Sequence, residues 1–185
     1  MSAYRAYAKC RLFRLTGSLH HAIACASIVT LAMAGCADEA KTVQPQEIAQ
    51  GTACSLDGML LQDFPGPKGQ IHYDAGPPDF FCDTMEMVSI YLRPEEQKRA
   101  VAVFTQDMGR ADWKQPSGHW IDAKTAFYVH GSSRQGSMGP TLASFARKQD
   151  AEAFAKEYGG TVLRFDEITL DMVALDGGVL RDEQM

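Results

Sequence analysis

The feature that most restricts the fold of this chain is an order of predicted elements, strand-strand-helix-strand, that occurs twice. The first series is predicted at residues 59–64, 70–73, 83–92 and 100–106. The second is predicted at residues 126–129, 141–145, 149–158 and 161–165, after one further short strand at 120–122. Each half has about 60 residues, which is marginal for a core of its own. The two halves are therefore expected to pack together.

Turn and helix signals support the first series. The segments 65–69 and 74–78 are rich in Pro and Gly and end the two short strands before them, which predicts a hairpin between those strands. Asp83 and Glu86 have the spacing of a capping box at the start of a helix, which Pro94 ends.

The second helix carries the clearer periodicity. An apolar stripe lies on one face of residues 149–158, and Gly159-Gly160 follows as a C-terminal cap would. The stripe consists of Ala151, Phe154, Ala155 and Tyr158. Together the two series predict an α+β fold of two related ββαβ units packed together.

The expected domain boundaries follow from these elements and from the composition of the chain ends. They are a lipoprotein signal peptide (1–35), a flexible tether (36–52), a first ββαβ unit (53–112), a second ββαβ unit (113–170) and a C-terminal tail (171–185).

The leader has the composition of a secretory signal. Four basic residues and no acidic residue precede an apolar run at 22–34. That run is shorter than the roughly 20 residues of a membrane-spanning helix. A signal peptide is therefore favoured over a permanent anchor helix.

The run ends at Leu31-Ala32-Met33-Ala34-Gly35-Cys36, which resembles a bacterial lipobox. Cys36 would be lipidated and become the new N-terminus, although ordinary cleavage near Ala34 is the alternative. Several acyl chains give stable membrane anchoring. The protein is expected on the periplasmic face of a membrane, and Ala37 after the cysteine favours the outer membrane.

Charge excludes one class of partner. The chain has 23 acidic and 18 basic residues, a net charge of −5, and loss of the basic leader makes the remainder more acidic. Nucleic-acid binding depends on neutralising phosphates with basic groups. No nucleic-acid partner is expected.

Only Cys54 and Cys82 remain as thiols once the leader is removed and Cys36 is acylated. In an oxidising compartment two such residues commonly form a disulfide. A structural lipoprotein with a Cys54–Cys82 disulfide is therefore one alternative. The sequence has no Cys-x-x-Cys pair, so thioredoxin-like and c-type haem chemistry lack their motifs.

Sulfur donors on predicted turns suggest a copper(I) site. Cys54 and Met59 flank a probable Asp57-Gly58 turn, and Met138 lies in a Ser-Met-Gly turn of the second half. Thiolate and thioether ligands select copper(I). The three histidines beyond the leader, which show no zinc-binding spacing, are His72, His119 and His130.

Short blocks in a fixed order carry a family resemblance. They are residues 54–59, 64–71, 81–83, 107–109, 120–123, 136–139 and 144–145. With the lipobox, this set resembles the NosL family of accessory lipoproteins for nitrous oxide reductase maturation. The resemblance implies a copper(I) chaperone that supplies the copper-sulfur centres of the apo reductase through an ABC-type maturation complex. It also implies two ββαβ domains similar to part of organomercurial lyase.

The resemblance also implies a ligand set. Cys54 and Met59 match the Cys…Gly-Met block of the family, with residues 55–57 inserted, and Met138 matches its Met-Gly loop. Cys54 and Met138 are the predicted copper(I) ligands and Met59 is a third. The weaker candidates are Cys82, Met87 and His130.

Transfer rather than catalysis is the expected activity. Two or three soft ligands on loops would hold copper(I) and leave room for a ligand of the acceptor. An organomercurial-lyase-like enzyme is a less favoured alternative, because that chemistry needs several cooperating thiols and an acid.

Overall fold

The computed structural model describes residues 42–175. The predicted signal peptide, the lipidation site at Cys36 and the end of the tail from residue 176 lie outside the described residues. The strands are β1 Gly69–Tyr73, β2 Asp79–Phe81, β3 Ala100–Gln106, β4 Trp120–Asp122, β5 Phe127–His130, β6 Ala143–Phe145 and β7 Thr161–Arg164. The helices are α1 Thr84–Tyr91, α2 Pro94–Arg99 and α3 Lys148–Tyr158. Within residues 42–175, no helix has the length and apolar character needed to cross a membrane.

The strands form two antiparallel sheets with matching topology. The order is β2-β1-β3-β4 in the first and β6-β5-β7 in the second. In both, the first strand of the unit is flanked by the second strand and by the strand after the helix. The prediction of an α+β fold built from two related ββαβ units is confirmed.

Strand β4 joins the first sheet. Thr105 pairs with Ile121, and Gln106 pairs with Trp120. The sequence order had placed this strand in the second unit. Its pairing with β3 therefore makes it a fourth strand of the first sheet instead.

The hairpin of the first unit involves a different pair of strands from the predicted one. Residues 59–64 were expected to form a strand, but Leu61–Asp63 is a 3₁₀ turn with Leu61 fully buried. Only Leu60 makes a bridge, to Ala53. The partner of β1 is β2, with Gly69 opposite Phe81. Anchoring Leu61 in the core takes this segment out of the sheet.

The helix ends match the sequence signals. Asp83 caps α1, because its side chain accepts a hydrogen bond from the backbone N–H of Met85. Helix α3 stops at Gly159, where φ is +76°, a conformation that favours glycine.

The two sheets share a core and a polar contact. Buried Ile71 of β1, Tyr128 of β5 and Leu142 belong to the same apolar cluster. Thr105 Oγ1 lies 2.9 Å from Ser144 Oγ, which joins β3 to β6. The halves therefore pack together.

Part of the predicted tether and tail also packs against the sheets. The main chain of Gln46 exchanges two hydrogen bonds with the side chain of Gln70, and Ile48 contacts the larger core. Leu170–Val173 forms a 3₁₀ turn in which Val173 is buried. Residues 46–48 and 170–173 therefore pack on the rest of the fold.

Candidate metal centre

A tight loop positions the first thiol. The N–H of Cys54 donates to Met59 O at 2.8 Å, and the N–H of Gly58 donates to Cys54 O at 2.9 Å. Asp57 Oδ1 accepts from the N–H of Met59, and Gly58 has a φ of +79°. The predicted Asp-Gly turn therefore closes the chain on itself around Cys54.

Hydrogen bonds to β2 bring this loop to the second thiol. The N–H of Ser55 donates to Phe80 O at 2.7 Å, and Ser55 Oγ accepts from the N–H of Phe80. Cys82 directly follows this strand. The pairing of Ser55 with Phe80 thus places the side chains of Cys54 and Cys82 side by side.

Two carboxyl groups complete a compact cluster of possible ligands. Donor atoms of Cys54, Asp57, Cys82 and Glu86 all lie within 4.8 Å of one another. Cys54 Sγ and Cys82 Sγ lie 3.4 and 3.2 Å from Glu86 Oε2, and Cys82 Sγ lies 3.9 Å from Asp57 Oδ2. Both cysteines are free thiols, so the disulfide alternative is not the state of this structure.

The methionine loop of the second unit is a tight turn. The N–H of Gly136 donates to Gly139 O at 2.7 Å, and Gln135 forms a bridge with Pro140. Gly139 has a φ of +108°. Met138 lies at the tip with 58% of its surface exposed.

This loop is fastened to the segment that carries the second thiol. Ser137 Oγ lies 3.1 Å from Cys82 Sγ. Asp83 accepts hydrogen bonds from the N–H of Ser137 and from Thr141 Oγ1, at 3.3 and 2.7 Å. A side chain at Gly136 would collide with Asp83, so only glycine allows this approach. The Met138 loop therefore lies against the thiol cluster.

The two thiols share protons unequally. A hydrogen bond from Cys82, which is the largest cause, and hydrogen bonds from backbone N–H groups lower the pKa of Cys54 to about 6, although burial acts in the opposite direction. The same contact and burial raise the pKa of Cys82. Near neutral pH the pair therefore consists of one thiolate and one thiol, and the thiolate is the metal-binding form.

Burial changes the charge of the neighbouring groups. Desolvation raises the pKa of Glu86 and of Asp83, each to about 7. Desolvation also lowers the pKa of buried Lys68 to about 8. Lys68 Nζ donates to three carbonyl oxygens, including that of Cys82 at 2.9 Å. Lys68 therefore holds the Cys82 main chain and places a positive charge near an acidic cluster.

The other predicted ligands lie in different surroundings. Met59 is half-buried against the larger core and touches the Cys54 loop through its main chain. Met87 is fully buried, and a Cβ atom added to Gly69 would be 2.5 Å from its sulfur. His130 Nε2 lies 3.1 Å from Met172 O, and His130 is not in the four-residue cluster. The structure thus brings together Cys54, Cys82 and the Met138 loop, and it directs Met87 and His130 elsewhere.

Sequence reasoning missed Asp57 and Glu86 as cluster members and Lys68 as their support. Asp57 was assigned only to a turn and Glu86 only to a capping box. The signal for Glu86 was its position in the first turn of a helix that begins just after Cys82, which brings the Glu86 side chain close to the Cys82 thiol. Lys68 gave no such signal, because its contacts depend on the tertiary fold.

Comparison with known proteins identifies the family. Residues 45–173 match the NosL family. The chain is 42% identical over 147 residues to the copper-binding lipoprotein NosL of Stutzerimonas stutzeri, covering 77% of each chain. The chain belongs to the NosL family. It is also 38% identical over 141 residues to the copper-binding lipoprotein NosL of Achromobacter cycloclastes, covering 74% of this chain and 73% of that protein.

A solved structure of the NosL family supports the same fold. The crystal structure of the copper chaperone NosL from Shewanella denitrificans is 43% identical to this chain, with a TM-score of 0.66. The match covers 68% of this chain and 96% of that one. The NosL region at 45–173 includes both thiols and the Met138 loop.

Proposed function

We propose that this chain is a membrane-anchored chaperone that binds copper(I) and passes it on. The single observation that carries the proposal is the contact between the thiol pair of the first unit and the Ser137–Met138 loop of the second. Thiolate and thioether sulfur are the donors that favour copper(I). The related proteins named copper-binding lipoproteins and copper chaperone support copper as the cargo.

The proposed ligands are Cys54, Cys82 and Met138, and Met59 is a further candidate ligand. The two thiols are buried, whereas Met138 is exposed at the tip of its loop. An acceptor could therefore displace the thioether first and reach the thiolates afterwards. Exchange of donors one at a time avoids releasing a free ion, and the copper(I) undergoes no net chemical change.

The proposed acceptor is the maturation machinery of nitrous oxide reductase. Family membership supports this destination: an ABC-type complex would take the copper and deliver it to the copper-sulfur centres of the apo reductase. The names of the relatives include the word lipoprotein. They support an anchor at Cys36 on the periplasmic face of a membrane, with the outer membrane favoured by Ala37.

Copper(I) competition titrations of the reduced full chain test the ligands. Cys54→Ser and Cys82→Ser should each weaken binding at least tenfold, and Met138→Leu should weaken it several-fold. Met108→Leu is the matched control. Met108 is followed by Gly in an Asp-Met-Gly segment, as Met138 is in a Ser-Met-Gly segment, but Met108 packs on the second apolar cluster. Equal affinities for the Met138 and Met108 variants would remove the thioether from the proposed site.

Complementation in denitrifying cells tests the destination. Cells whose only NosL-family protein is the Cys54→Ser variant should make nitrous oxide reductase protein with depleted copper-sulfur centres. Normal copper content in that reductase, at matched variant abundance, would contradict the proposed delivery role.

The enzyme alternative has one structural feature in its favour. Two thiols lie beside a carboxyl group whose pKa is near 7, as carbon–mercury bond cleavage would need. The chaperone proposal predicts that an organomercurial compound binds without release of its hydrocarbon. Catalytic hydrocarbon release that is lost in Glu86→Gln would instead support the enzyme.

A further inference from the structure

Trp113, in the loop between β3 and β4, makes one hydrogen bond toward each half of the proposed copper(I) site. Its carbonyl oxygen accepts from the N–H of Gly66 at 2.8 Å, and its indole Nε1 donates to Gln135 O at 3.1 Å. Gly66 precedes β1 in the first unit, whereas Gln135 begins the Met138 loop of the second. A single residue therefore connects the two loops.

Aromatic and cationic neighbours from the second unit hold the Trp113 ring. It stacks on Phe154 of α3, with ring centroids 5.4 Å apart and an angle of 23° between the ring planes. The guanidinium of Arg134 lies 4.5 Å from the Trp113 ring centroid and 5.0 Å from that of Tyr158. Stacking and cation–π contacts favour a defined ring geometry. They therefore keep the indole N–H directed at the carbonyl group of Gln135.

The two loops that Trp113 connects also touch each other. A Cβ atom added to Gly66 would lie 3.0 Å from Gly136 Cα and 3.8 Å from Trp113 Cζ2. The absence of a side chain at Gly66 thus allows its main chain to pack directly on the Met138 loop. The Trp113 ring lies beside this contact between the two units.

We propose that Trp113 is a positioning residue that sets where the Met138 thioether lies relative to the thiol pair. The inference rests on the proposed function, in which Cys54, Cys82 and Met138 bind copper(I). The hydrogen bond within the Met138 loop fixes the shape of the turn, but contacts outside the loop fix its place. Packing and hydrogen bonds of supporting residues must hold binding groups within about 0.5 Å of their productive geometry. Trp113 supplies both kinds of support.

The Met138 loop is attached to its surroundings at both ends. Trp113 holds the start of the loop through Gln135 O. Ser137 and Thr141 hold its middle and its end through Cys82 and Asp83. Without the indole N–H the loop is attached through its later residues alone, so its tip gains freedom of movement. Ordering a mobile group on binding costs free energy. Copper(I) affinity should therefore fall when the first attachment is lost.

Substitution by phenylalanine removes this attachment and little else. Trp113→Phe retains an aromatic ring beside Phe154 and deletes the indole N–H. The carbonyl oxygen that accepts from Gly66 belongs to the main chain and is present in any variant. A typical hydrogen bond corresponds to about a fivefold change in an equilibrium constant. Trp113→Phe should therefore weaken copper(I) binding about fivefold.

A double-mutant cycle tests the inference through copper(I) competition titrations of the reduced full chain. The loss caused by Trp113→Phe should be about fivefold with Met138 present and less than about twofold in a Met138→Leu background, where loop position no longer matters. Equal losses in both backgrounds would show a general structural role and overturn the inference. Trp120→Phe is the matched control. Within residues 42–175 the buried Nε1 of Trp120 has no hydrogen-bond partner, so copper(I) affinity should stay unchanged.

A measurement without copper separates failure of this inference from failure of the proposed ligand set. In the metal-free full chain labelled at the methionine methyl groups, Trp113→Phe should lower the NMR order parameter of the Met138 methyl group and leave that of Met59 unchanged. An unchanged order parameter for Met138 would overturn the positioning role, whatever the copper(I) affinities. If Met138→Leu alone leaves copper(I) affinity unchanged, the proposed thioether ligand is wrong, and the order parameter still decides whether Trp113 holds the loop.

Discussion

Thr141 Oγ1 donates a 2.7 Å hydrogen bond to Asp83 Oδ1, which ties the base of the Met138 loop to the residue that follows Cys82. The two residues are 58 positions apart and both are buried. This contact and those of Ser137 with Cys82 and Asp83 therefore hold the Met138 loop of the second unit against the thiol-bearing segment of the first.

Removal of this hydrogen bond should loosen the site. In Thr141→Val a methyl group replaces the hydroxyl and leaves Asp83 short of one partner, which should lower the free energy of unfolding by about 1–3 kcal/mol. Urea unfolding measures the loss. The matched control is Thr125→Val, because Thr125 is exposed and its hydroxyl donates to the nearby Asp122 O. Equal effects in the two variants would mean that the tie to Asp83 contributes nothing specific.

Copper(I) affinity should depend on pH through the second thiol. The pKa of Cys54 is lowered to about 6, whereas that of Cys82 is raised, so above pH 7 copper(I) must displace one proton, from Cys82. Affinity should then rise about tenfold per pH unit, because binding releases one proton. Below about pH 6, Cys54 also becomes protonated and the slope should steepen.

Competition titrations at several pH values between 5 and 8.5 would measure both slopes. In Cys82→Ser the dependence above pH 7 should disappear. A wild-type affinity that stays constant above pH 7 would show that Cys82 keeps its proton and is not a ligand.

Gly136 should tolerate no side chain. A Cβ atom there would collide with Asp83 and lie 2.8 Å from Thr141 Cβ. Gly136→Ala should displace the loop, lower the free energy of unfolding by at least about 2 kcal/mol, and weaken copper(I) binding. Gly131→Ala is the control, because Gly131 has a positive φ but open space around it, and its cost should stay near about 1 kcal/mol without loss of copper(I) affinity.

Lys68 should be needed for the position of Cys82. In Lys68→Met the carbonyl oxygens of residues 64, 65 and 82 lose their shared donor. Relief of the buried charge offsets part of that loss, and a net destabilisation of about 2 kcal/mol is expected. Thermal unfolding and copper(I) titration would measure the effects on stability and binding. Exposed Lys114→Met serves as the comparison, and equal stability of the two variants would contradict this role.

The regular elements could be predicted because their signals are local. Asp83 caps the helix that begins next to it, and the apolar stripe and Gly159 define α3 through residues no more than a few helical turns apart. The strand at 59–64 failed because a run of apolar residues does not distinguish a strand from a buried turn. In the structure Leu61 reaches the core from a 3₁₀ turn.

The candidate site was predictable only in part. Sulfur chemistry pointed to Cys54 and Met138, and loops of the two halves do meet there. The contacts of Glu86 with the thiols depend on Ser55 pairing with Phe80, a contact between positions 25 residues apart. Such pairings have no signature in the sequence, so the carboxyl groups could be found only in the folded chain.

The two sheets share a topology, but the two copies of this topology carry different side chains at corresponding positions. At the end of β2 the first copy has Cys82 and Asp83, whereas after β6 the second has Ala146 and Arg147, which offer no sulfur. The two copies of the topology therefore differ in chemistry: the first carries the thiols of the proposed copper(I) site, and the second carries the Met138 loop, which contacts Cys82 through Ser137. The proposed site therefore depends on both units being in place together.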